Sequence, residues 1–119
     1  MRTAAQFSMV WVTAPDRKTA RRLAQAALSA RLVACANLVP GIESHYWWQG
    51  KLTRSQEVLI VFKTSRTSVK ALEALVLELH PYDTPEVIEV GLSRGTLRYL
   101  DWIADSVSSR PSRRARSRS

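Results

Sequence analysis

Two histidines, His45 and His80, and one cysteine, Cys35, are the soft metal ligands in this sequence. An imidazole or thiolate donates an electron pair to copper or zinc, but tight sites assemble several such donors, and these three residues are widely separated. Cys35 stands in an apolar run and reads as a buried, inert thiol. His80 closes a helical pattern just before Pro81. There its ring either bonds a last-turn carbonyl and complements the helix dipole, or lines a pocket or metal site. His45, beside Tyr46, reads as a solvated or packing residue. Tyr46, Trp47, Trp48, Tyr82, Tyr99 and Trp102 suit either subunit packing or the walls of a cleft. If a cleft exists, Lys63, His80, Tyr82 and Glu86 are its polar members and Tyr46 and Trp48 its aromatic ones, since binding clefts set a few charged groups among aromatics.

Catalysis finds little support. There is no Gly-rich phosphate loop, no Cys-x-x-Cys, no His-Glu-x-x-His and no serine-nucleophile motif, and the chain has only four glycines. An anion-cradling first loop is also missing, because Ala14-Pro15-Asp16 presents a proline without a donor and a repelling carboxylate. A non-enzymatic protein is expected.

The elements that must position these residues follow from periodicity. Residues 6–13, aromatic and β-branched, read as a first strand stopped at Pro15. Over 16–30, Ala20, Leu23, Ala24, Ala27 and Leu28 recur at helical spacing against a basic face. Residues 32–46 and 51–64 read as two long strands joined by a turn at Gln49-Gly50, with Pro40-Gly41 marking a bend or bulge in the first. A second helix spans 67–80, with Thr67 or Ser68 as its cap, and Pro81 stops it. A fourth strand over 84–92 and a last helix over 97–107 complete the series. The order is that of an α+β, ferredoxin-like βαββαβ sandwich with a long β-hairpin and an additional C-terminal helix. Such a hairpin, carrying Tyr46, Trp47 and Trp48 near its tip, leaves apolar area in water unless another copy covers it, which predicts a cyclic oligomer.

With 119 residues the chain can bury one core, and 45% apolar against 24% charged residues is ordinary globular usage. The formal charge of +8 points to nucleic acid only until the arginines are located. Arg110, Arg113, Arg114, Arg116 and Arg118 lie in the last ten residues, and without them 13 basic residues face 10 acidic ones. The expected organisation is a folded domain over 1–109 and a disordered Arg/Ser-rich tail over 110–119. The tail is either a neutral accessory or a contact for nucleic acid or an anionic surface. A single cysteine allows no intrachain disulfide, the first residues do not read as a secretory signal, and no run is long and apolar enough for a membrane helix. A cytoplasmic location is expected.

Several segments, in this order, resemble the successive motifs of the CutA family of divalent-ion tolerance proteins. They are Val12-Thr13-Ala14-Pro15-Asp16, Leu32-Val33-Ala34-Cys35-Ala36-Asn37-Leu38-Val39-Pro40, Tyr46-Trp47-Trp48-Gln49-Gly50-Lys51, Val61-Phe62-Lys63-Thr64, His80-Pro81-Tyr82-Asp83-Thr84-Pro85-Glu86-Val87-Ile88 and Tyr99-Leu100-Asp101-Trp102-Ile103. The resemblance implies a ferredoxin-like protomer, a homotrimer in which long hairpins extend sheets between subunits, a role in tolerance to divalent metals, and a likeness to the PII signalling proteins. It also implies copper ligands at a cysteine closing the first strand and at two adjacent histidines before Pro-Tyr. Here those positions hold Val12, Leu79 and His80, so His80 alone carries over, and any binding of copper or another divalent ion is expected to be weak. Two rival functions remain. One is a PII-like small-molecule sensor; the other is a nucleic-acid module, which shares the element order. The apolar run 58–62 lacks the Arg-Gly-aromatic signature of RNA-binding strands, so any polynucleotide contact is assigned to the tail.

Overall fold

The computed structural model of the chain describes residues 1–107. In chain order it contains β1 (Arg2–Thr3), β2 (Phe7–Ala14), α1 (Arg17–Ser29), β3 (Cys35–Trp48), β4 (Lys51–Ser65), a 3-10 turn (Arg66–Ser68), α2 (Val69–Leu79), β5 (Val87–Gly91), β6 (Arg94–Gly95) and α3 (Leu97–Ser106). Four strands form one antiparallel sheet in the order β3-β4-β2-β5. This is the split βαβ arrangement of a ferredoxin-like sandwich. The Arg/Ser-rich run 110–119 lies outside the described residues.

Strand alternation sends Val10, Val12 and Ala14 of β2, with Val58, Ile60 and Phe62 of β4, to one face of the sheet. Ala20, Leu23 and Ala27 of α1 and Leu72 and Val76 of α2 close over them as the main core. Asp16 starts α1 because its carboxylate accepts the Thr19 main-chain N–H at 2.7 Å, and this bond holds its carboxyl below the usual carboxylate range. The helix ends with Arg31 at φ 59, and the Arg31 and Leu32 N–H groups donate back to the Leu28 and Ala27 carbonyls. Those bonds satisfy the last turn in the way glycine usually does, with Arg31 donating to the Ser106 carbonyl as well.

The expected bulge is present. Register shifts between Val39 and Ile42, where Pro40 and Gly41 together oppose Val58, and Gly41 takes φ +73. The shift changes which residues face the side away from α1 and α2. Before it they are Cys35, Asn37 and Val39; after it they are Ile42, Ser44, Tyr46 and Trp48. At the tip Trp48 pairs with Lys51 across Gln49 and Gly50, both at positive φ, as a two-residue hairpin turn requires.

Three features differ from the sequence reading. Thr67 does not cap α2, because 66–68 form the 3-10 turn, and Ser68 occupies the cap without a side-chain bond to the helix. β1 and β6 pair as a two-residue ribbon, which leaves no period in a sequence. Finally, α3 packs against the sheet face opposite α1 and α2, where Leu100 and Ile103 join Ala4, Phe7 and Ala34 in a second, smaller core.

Candidate functional site

The face that α3 only partly covers carries the candidate residues. Along β4 the side chains on this face are Ser55, Glu57, Leu59, Val61 and Lys63, with Trp11 opposite Val61 in β2 and Ile88 beside Trp11 in β5. Its middle is apolar and open, with Trp11, Val39 and Ile88 between 37% and 51% exposed. Its two ends are polar and of opposite sign.

At one end Glu57 is 8% exposed although it is a carboxylate. Among the described residues its carboxylate has one hydrogen bond, from the Tyr82 hydroxyl at 3.4 Å, and Tyr46, on the same face of the hairpin, bonds Ser55 at 3.2 Å. Burial, followed by the charge of Glu57, holds the Tyr82 phenol above the usual tyrosine range. Burial, again followed by Glu57, raises the Glu86 carboxyl. Tyr46, Tyr82 and Glu86 are thus gathered around Glu57, a residue the sequence reading did not single out. Its only signal was a charge placed directly before the apolar run 58–62.

His80 ties this end together. It is buried at the C-terminus of α2, its ring accepts the Tyr82 main-chain N–H at Nδ1 (3.1 Å), and Nε2 lies 2.7 Å from the Thr13 carbonyl. A main-chain amide must donate and a carbonyl must accept, so the ring is the neutral tautomer with its proton on Nε2. The carbonyl it reaches belongs to β2, not to the last turn of its own helix. Both ring nitrogens are engaged, and a metal taken by His80 has to displace one of these partners. The two positions that resemble family ligands are hydrocarbon: Val12 is fully buried in the main core and Leu79 packs against it. Among the described residues no group of three His, Cys, Asp or Glu side chains is placed to hold a metal.

Lys63 stands at the other end of the face. Its Nζ donates to Asn37 Oδ1 at 2.6 Å, beside Cys35, whose Sγ lies 3.8 Å from the Tyr99 hydroxyl. Six residues of strand, roughly 20 Å, separate Lys63 from Glu57. A single copy of the chain therefore does not join Lys63 to Tyr46, Tyr82 and Glu86. Cys35 is half-buried rather than fully buried, because its strand position faces this open side. Trp48, 52% exposed, sits at the hairpin tip with Trp47 at 71%, and His45 pairs with Glu43 at the surface at 2.8 Å.

A family model described as CutA1 divalent ion tolerance protein matches residues 8–106. The chain belongs to this family. The chloroplastic protein CutA 1 of Oryza sativa subsp. japonica is 44% identical over 98 residues, which are 82% of this chain and 55% of that protein. The divalent-cation tolerance protein CutA of Thermus thermophilus is 39% identical over 98 residues, 82% of this chain and 95% of the relative. The chain thus spans about half the length of the rice relative and nearly all of the bacterial one. The crystal structure of CutA1 from Oryza sativa superposes with a TM-score of 0.84 at 41% identity, covering 87% of this chain and 95% of that one. The ferredoxin-like α+β architecture expected from the sequence agrees with this family. No helix among the described residues is long and apolar enough to cross a membrane.

Proposed function

We propose that this protein is a homotrimeric, non-enzymatic divalent-cation tolerance protein of the cytoplasm that holds copper or another divalent metal weakly, with His80 as the main remaining donor. The family match across residues 8–106 carries this reading, and a relative named for divalent-cation tolerance aligns with it over nearly its whole length. Weak rather than tight binding is supported by the hydrocarbon at Val12 and Leu79 and by the two main-chain partners of His80. An ion bound there takes its other ligands from water or from a neighbouring copy, which lowers affinity. Trimerisation is supported by the open apolar sheet face and by the exposed Trp47, Trp48 and Leu52 at the hairpin tip.

Calorimetric titration of the reduced, tagless protein with Cu²⁺ and Zn²⁺ tests the metal reading. Binding should be weak and should fall further in His80→Ala, with Cys35 blocked in a control because a thiol captures Cu(I) by itself. Tight binding unaffected by the substitution would place the site elsewhere. Val12→Cys with Leu79→His should raise affinity, at some expense to core packing.

A further inference from the structure

Positive charge is unevenly distributed along the chain. Helix α1 carries Arg17, Lys18, Arg21 and Arg22 and no carboxylate, and five arginines follow Ser109. Outside these two places nine basic residues face ten acidic ones, so the whole positive excess resides in α1 and in the C-terminal run. All four α1 cations are exposed, and the ion pairs formed among the described residues, Arg2 with Asp101, His45 with Glu43 and Arg66 with Glu89, include none of them. Their placement works against the helix. Arg17 with Arg21 and Lys18 with Arg22 are like charges four residues apart, which repel across one turn, and all four sit in the first half of α1, where the helix dipole disfavours cations. Asp16 offsets only part of this, since its carboxylate is taken up with the Thr19 amide. Folding alone gives no reason for such a cluster, whereas an anionic partner does.

We propose that the exposed face of α1 docks the phosphate backbone of a double-stranded nucleic acid, with the arginines after Ser109 as the second arm of the same contact. The two arms meet at one place. Arg31, just past α1, donates to the Ser106 carbonyl at 3.2 Å, so the C-terminal run sets out from the end of α1. From Arg17 to Arg31 the basic stripe is about 20 Å long, enough to follow about six phosphates of one strand. Three of the four α1 cations, and every one in the C-terminal run, are arginine, whose planar fork matches phosphate oxygens two at a time. No residue of α1 is aromatic, so the helix offers no ring on which an unpaired base could stack, which favours a duplex over a single strand. A lipid surface fits less well, because the apolar stripe that would enter it, Ala20, Leu23, Ala24 and Ala27, is buried. Neither arm alone holds a duplex at physiological salt. The contact reads no sequence, and it is independent of the metal and trimer readings.

Fluorescence anisotropy of the full chain with a mixed-sequence DNA duplex of about 25 base pairs, between about 50 and 200 mM salt, tests the docking. Arg17→Gln with Lys18→Gln, Arg21→Gln and Arg22→Gln, the C-terminal run intact, should raise Kd roughly a hundredfold and flatten the slope of log K against log salt by about 3–4. Arg17→Gln with Arg21→Gln should weaken binding roughly tenfold, whereas Lys51→Gln with Arg54→Gln near the hairpin tip, the same loss of charge, should change Kd by less than about twofold. The quadruple variant should melt no lower than the parent, because it removes like-charge pairs. A clearly lower melting temperature would show that the cations serve the fold and would overturn the proposal. A parent that does not bind the duplex at low salt would overturn it too, as would an unchanged Kd and slope in the quadruple variant, equal losses from the α1 and hairpin pairs, or retention on phosphatidylserine vesicles without duplex binding.

Discussion

At the scale of single residues, His80 is a structural clasp before it is anything else. Its ring joins the end of α2 to the end of β2 and holds the Tyr82 amide. His80→Ala leaves a buried carbonyl and an amide without their partner, and should lower stability by about 2–3 kcal/mol in urea unfolding whether or not metal is present. A loss seen only with metal would assign the residue mainly to binding. Glu86 gives a second prediction at this scale. Its pKa is raised by burial and then by Glu57, so the folded chain holds its proton more tightly than the unfolded chain does. Its ionisation therefore removes stability from an isolated subunit as pH rises through the window above the ordinary glutamate value. Glu86→Gln should make urea midpoints of dissociated protein less sensitive to pH in that window, and should leave them unchanged or higher at neutral pH. A lower midpoint at neutral pH would contradict the assignment. His80 was legible in the sequence as a helix-ending residue with two open roles; its partner Thr13 was not, because a main-chain carbonyl carries no signature in residue type.

At the scale of elements, hydrophobic period gave the long strands and α1 within a few residues, since each buries a continuous face. Pro40-Gly41 was readable as a bulge because a donor-less residue followed by one that tolerates positive φ suits an interrupted ladder. The β1–β6 ribbon was not, as two residues have no period. Nor was the side on which α3 packs, which is set by Phe7, a strand residue pointing away from the main core toward Leu100 and Ile103. The hairpin carries the prediction at this scale. Trp48 is exposed in the single chain, so Trp48→Ala should leave the melting of dissociated protein nearly unchanged while weakening the proposed assembly by about 2 kcal/mol or more, as an aromatic anchor at an interface does. Equal effects on both would mean the residue serves the hairpin fold and not the contact.

For the whole molecule, the sequence grouped Tyr46, Trp48, Lys63, His80, Tyr82 and Glu86 by residue type, and the fold separates Lys63 from the others by the length of a strand. That distance was hidden because register, not sequence spacing, decides which strand residues become neighbours. Glu57 was overlooked for a related reason: its hydrogen-bond partner Tyr82 arrives from a loop 25 residues further along the chain. Charge distribution makes its own prediction. The five arginines after Ser109 account for most of the net positive charge and have no apolar surface with which to join a core. Truncation after Ser109 should leave the melting temperature and the oligomeric state unchanged, and any binding to nucleic acid should vanish with the tail and weaken steeply with salt. Loss of assembly on truncation would show the tail to be part of the contact. Native mass spectrometry of the reduced, tagless protein with and without equimolar Cu²⁺ reads the proposed trimer and its depleted metal site together. The expected spectrum shows three copies of the 13.4 kDa chain with copper largely lost on mild activation; a monomer, or a trimer that keeps one copper per chain after His80→Ala, would contradict it.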